Sequence, residues 1–191
     1  MENAWGQRPA GTPGYAPLQI VLHWTIAALV VIQLFFNGAI EVAFDARMDG
    51  DAAAHGFVGQ AMAWGHIVIG STILALALWR LTLRLSIGAP EPAMPAPRVV
   101  VFMAHLAHVA LYAFIIVTPL TGLAAWVLKL DLAAEMHEWL RWPFVLLLIG
   151  HVVGAIVEHS VFGNATLMRM LRPGSPRQKE SPAEYRDASH R

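Results

Sequence analysis

Two histidines bracket one apolar run, "HEWLRWPFVLLLIGH", from His137 to His151. On a helix, 14 steps of about 100° close nearly four whole turns, so both rings share a face about 21 Å apart. An imidazole in such a run can ligate a metal or hydrogen-bond a neighbouring helix. Ionisable groups are costly in lipid, so each is a candidate functional group. The chain holds nine histidines and no cysteine. That composition excludes disulfides, thiolate metal sites, iron–sulfur clusters and covalent attachment of a haem through C-x-x-C-H.

The elements that must carry these rings are apolar. The chain is 57% hydrophobic and only 14% charged, where a soluble domain has about 25% charged residues. Four stretches approach the roughly 20 residues that cross a bilayer. They run over about 18–40, 61–83, 99–128 and 139–162. The sequence therefore predicts an all-α integral membrane four-helix bundle over residues 1–172. The first stretch is too long for a signal-peptide core and lacks a clean cleavage site. Residues 173–191 are Ser-, Pro- and charge-rich and are expected to be a disordered cytoplasmic tail.

Charge sets the expected orientation. The first connection carries Glu41, Asp45, Asp49 and Asp51 against Arg47, and the third carries Lys129, Asp131 and Glu135. Arg8, the Arg80, Arg84 and Arg98 group, and Arg169, Arg172, Arg177 and Lys179 mark the other side. By the positive-inside rule, both termini and the second connection are expected in the cytoplasm. Net charge is zero, which gives no reason to expect a nucleic-acid partner.

Placed by depth, the histidines form two levels. The outer level holds His66 and His137. The inner level holds His23 and His151, with His105 and His108 as competitors. A b-type haem takes two neutral imidazoles, one on each face of its iron. Two levels imply two non-covalent haems on opposite sides of the midplane, the layout for passing electrons across lipid. Any one histidine could simply bond a neighbouring helix; four at two matched depths favour ligation. His55 and His190 read as solvated. Gly65, Gly70, Gly150 and Gly154 flank the rings, but glycines at this spacing are more often direct helix contacts. Arg80 and Arg84 could pair with haem propionates, and so could Arg141, although most such arginines anchor a membrane surface. The tryptophans suit interfacial belts.

The ordered motifs "LQIVLHW", "WGHIVIGSTILALALWRLTLRL", "MAHLAHVALYAFIIVTPLTGL" and "MHEWLRWPFVLLLIGH", with "NATLMRML" beyond, resemble the bacterial cytochrome b561 family of four-helix di-haem, quinone-reactive cytochromes. The resemblance covers about Tyr15 to Arg172 and includes a turn-like element from Pro119 to Gly122. It implies His23 and His151 as ligands of the inner haem, and His66 and His137 as ligands of the outer one. Members often carry two adjacent histidines after the fourth ligand. Here the pair is Glu158–His159, where a quinone could approach the inner haem.

The expected function is one-electron transfer across the bacterial inner membrane, between a periplasmic-side partner and the quinone pool of the respiratory chain. Superoxide is one candidate donor, attracted by Arg141 and Lys129, which would make the chain a quinone-linked oxidoreductase. With both axial positions of each iron filled, direct oxygen binding is not expected. One rival is the membrane-anchor cytochrome of a hydrogenase or dehydrogenase. Another is a haem-free metal transporter, weakened because no Asp or Glu sits deep in any span. A purely structural bundle leaves the matched depths unexplained. Oligomeric state is not legible.

Overall fold

The computed structural model describes residues 14–34, 37–49, 56–88, 97–161 and 166–172. His55, His190, Arg8 and the expected tail, 173–191, lie outside the described residues. Among those described, all regular structure is helical: α1 Pro17–Gln33, α2 Asn37–Asp49, α3 Gly56–Ile87, α4 Arg98–Leu128, α5 Asp131–Ser160 and α6 Thr166–Leu171. Helices α3, α4 and α5 are long and apolar enough to cross a membrane, and α1 is a shorter apolar helix of 17 residues.

Local chemistry sets the ends. Pro17 stands in the first turn of α1, where its missing N–H costs nothing. The Gln19 side chain accepts from the Ala16 amide (3.3 Å) and donates to the Gly88 carbonyl (3.2 Å). It thereby ties the start of α1 to the end of α3. Gly88, at φ +80°, takes the left-handed conformation that closes α3. Helix α4 turns into α5 through Lys129 and Leu130. Lys129 sits at φ 53°, and the Leu130 amide reaches back to the Ala125 carbonyl at 3.3 Å. So tight a hairpin forces α4 and α5 side by side. Asp131 in the first turn of α5 suits the positive end of that helix.

Three features differ from the sequence reading. The apolar stretch expected to reach Ile40 is helical to Gln33, and a separate helix, α2, begins at Asn37. Helix α2 carries too many polar residues to read as a span, and it buries Ala43 and Ala46 while packing on α3. His137 does not open its helix but lies in its second turn, because α5 starts at Asp131. The element from Pro119 to Gly122 is no turn: it continues α4, with Pro119 inside the helix.

Helix α3 packs against α1, α2 and α4, and α4 packs against α5. A buried cluster of Ile26, Val30, Ile73 and Ala77 joins α1 to α3, and Ile115, Phe144 and Leu148 close on it. Phe144 stacks on Phe114, with ring centres 6.2 Å apart and planes 12° from parallel. The outer faces of α4 and α5 stay apolar and exposed, with Phe102, Val109, Leu146 and Ile149 among them. Lipid tails solvate such faces as well as another helix would.

Candidate functional site

Helix α5 presents His137, Phe144 and His151 at seven-residue intervals, nearly in line on one face. It leans on α4 and makes few contacts with α1 or α3, the helices that carry the facing histidines. The His66 ring of α3 lies 6.0 Å from the His137 ring, with planes 78° apart. The His23 ring of α1 lies 6.3 Å from the His151 ring, with planes 67° apart. A metal–imidazole bond is about 2 Å long, so an iron held in line by two imidazoles sets their ring centres about 6 Å apart. Both pairs meet that spacing. His108 does not: its ring is 5.4 Å from that of His151, and its Nδ1 lies 2.6 Å from the Ala104 carbonyl of its own helix. His105, one turn earlier on α4, is exposed.

A cavity of about 480 Å³ opens around the His66–His137 pair, in the usual range for a bound organic group. Val30, Ile73, Ile115 and Phe144 give it apolar walls. Two glycines admit close neighbours. A methyl on Gly122 would come within 2.9 Å of the His137 ring, and one on Gly70 within 3.3 Å of Gln33 Nε2. The ring atom Nδ1 of His66 is buried without a hydrogen-bond partner, as is Oε1 of Gln33. Orphaned buried polar atoms beside a cavity are what a site for a further group looks like. These residues therefore fit a haem.

The sequence profile of the prokaryotic cytochrome b561 family matches residues 14–173. The chain belongs to that family. It is 34% identical to cytochrome b562 of Cereibacter sphaeroides over 163 residues, covering 84% of this chain and 97% of that protein. It is 27% identical to the probable superoxide oxidase CybB of Yersinia pestis over 183 residues, covering 82% of this chain and 95% of that one. As a cytochrome b561 family member with three strongly apolar helices and a shorter fourth, it is a multi-pass bacterial membrane protein and a b-type cytochrome.

The remaining candidates of this cytochrome distribute between its two ends. Near the His23–His151 pair, Arg80 Nη1 donates to the Tyr112 hydroxyl at 2.6 Å, while its Nε is buried without a partner. Arg84 Nη1 reaches the Tyr15 hydroxyl at 3.4 Å. Trp24 stands edge-on to His23, and its indole N–H donates to the Met170 carbonyl at 2.6 Å, tying α1 to α6. Glu158 and His159 are half-buried in the last turn of α5. At the other end, Arg141 lines the cavity, pairs with Glu138 at 3.8 Å and lies over Trp142. Lys129 is exposed at the α4–α5 hairpin. A methyl at Gly150 or Gly154 would meet nothing within 4 Å. Among the described residues these two glycines therefore make no direct helix contact.

Sequence reasoning missed Gln33, Thr118, Ile40 and Phe44, which line the cavity, and Tyr112, which accepts from Arg80 at the other end. Gln33 left one usable signal, an amide well inside an apolar run. Phe44 left none, because it follows the end of the apolar stretch, and Ile40 read only as the last residue of that stretch.

Proposed function

We propose that this cytochrome holds two b haems, one between His66 and His137 and one between His23 and His151. It would carry single electrons between a partner at one membrane face and the quinone pool at the other. The observation that carries this reading is the pair of ring separations, 6.0 and 6.3 Å, each joining α5 to a different helix. Helix α1 would then complete a four-span bundle, with the termini in the cytoplasm and the His66–His137 pair toward the periplasm. Bound haem iron supplies the one-electron chemistry. The chain supplies imidazoles at fixed separation, apolar walls that exclude water, and arginines at each end.

The name of the Yersinia relative makes superoxide the candidate donor. Two superoxide anions would each give up one electron and leave as dioxygen. One quinone would take both electrons, with two protons from the cytoplasmic side, and leave as quinol. In this reading Arg141 and Lys129 would meet the anion, Glu158 and His159 would meet the quinone, and Arg80 and Arg84 would meet propionates. A metal-transport reading finds no support: among the described residues no group of three or more His, Cys, Asp or Glu could hold a metal ion.

The test is a reduced-minus-oxidised absorption spectrum of the purified protein, with haem counted per chain. Two low-spin b haems per chain are expected. A single haem would overturn one of the two pairs, and none would overturn the reading.

A further inference from the structure

Among the four proposed ligands, His137 is the one whose ring Nδ1 meets a main-chain carbonyl of another helix. Its Nδ1 lies 2.7 Å from the main-chain carbonyl of Thr118, across the α4–α5 interface. A carbonyl oxygen can only accept, so the neutral ring carries its proton on Nδ1 and its lone pair on Nε2. The Thr121 hydroxyl donates to the same carbonyl at 2.7 Å and comes within 3.4 Å of His137 Nδ1. The ring lies against Gly122: a methyl there would sit 2.9 Å from Cε1, 3.0 Å from Nδ1 and 3.4 Å from Nε2. His66 Nδ1 is buried with no such partner.

We propose that Thr118, Thr121 and Gly122 form a cradle on α4 that fixes His137 as an Nε2 donor and sets its basicity. This rests on the two-haem reading above. A ligand imidazole whose other N–H is hydrogen-bonded donates more strongly to iron. Stronger donation stabilises the ferric state and lowers the midpoint potential. Control of one haem's potential therefore lies on a helix that contributes no ligand to it. Thr121 competes with His137 for the Thr118 carbonyl, so it moderates that bond.

The experiment is a redox titration of the haem-loaded full chain in detergent, with electron paramagnetic resonance of the oxidised form. In Gly122→Ala the added methyl pushes the ring off the carbonyl. The component lost in His137→Leu should shift upward in potential or lose its low-spin signal, with the other unchanged. In Thr121→Val the carbonyl is released to His137, and the same component should shift downward. Thr121→Ser should keep the wild-type value. A merely loosened structure would move both variants in one direction, and that result would overturn the cradle. Wild-type midpoints in Gly122→Ala and Thr121→Val would also overturn it. If Gly122→Ala fails to accumulate, an unshifted Thr121→Val is sufficient to reject it. Retention of both haem components in His137→Leu would instead remove the ligand reading beneath it.

Discussion

His66 of α3 and His137 of α5 face each other with ring centres 6.0 Å apart, on two helices whose backbones stay apart. The separation fits one intervening iron, and the same helix α5 repeats the relationship with His23 of α1 two seven-residue steps later.

Ligand pairing has a double-mutant signature. Leucine at His66 or at His137 should each remove the same spectral component, and the double substitution should remove no more than either alone. Leucine at His23 or His151 should remove the other component. Haem counted per chain, with the spectrum of each variant, checks this. A variant pair that removed different components would break the assignment.

Phe144 lies midway between the two ligand positions of α5, half-buried and stacked on Phe114. A fully buried Phe→Ala change costs about 3–5 kcal/mol. Partial exposure and the ability of lipid to fill space reduce that here, and about 1–2 kcal/mol is expected. Phe144→Leu should recover most of it. Thermal loss of the haem absorbance, compared across the three proteins, gives the order.

Arg80 puts a positive charge beside the His23–His151 pair and donates to Tyr112 at 2.6 Å. Removing a nearby cation favours the more positive, ferric state. Arg80→Gln should therefore lower the midpoint of that haem, while Arg80→Lys and Tyr112→Phe should have smaller effects. A redox titration resolved into two components decides it. An unchanged or raised midpoint would count against a place for Arg80 at the haem.

Carboxylates crowd the His66–His137 cavity: Glu41, Asp45, Asp131, Glu135 and Glu138 line it beside Arg141. A small anionic reductant would meet a mostly repulsive field there. Arg141→Gln should slow haem reduction by superoxide about two- to ten-fold, and Asp131→Asn with Glu135→Gln should speed it by a similar factor. Both effects should shrink as salt is raised. Rates blind to all three substitutions would place the donor elsewhere; neutralising both Arg141 and Lys129 without effect would exclude the cationic route.

The sequence alone determined that the chain is apolar and helical, where its long helices run, and that His137 and His151 share a face. Those properties depend only on composition and on the 3.6-residue period, which act along the chain. It also placed the histidines at two depths, which set His66 with His137 but left His105 and His108 competing with His23 and His151; depth alone does not bring rings into contact. That needed the α4–α5 hairpin, which sets α5 beside α4 and brings its His137, Phe144 and His151 face toward α1 and α3. Helix α2 was hidden because a helix lying over a site needs no continuous apolar window. The contacts of His137 with the Thr118 carbonyl and Gly122 were hidden for a different reason. They join residues 19 and 15 positions apart through a main-chain oxygen and an absent methyl. Neither is a property of a residue type; both exist only once two helices have packed.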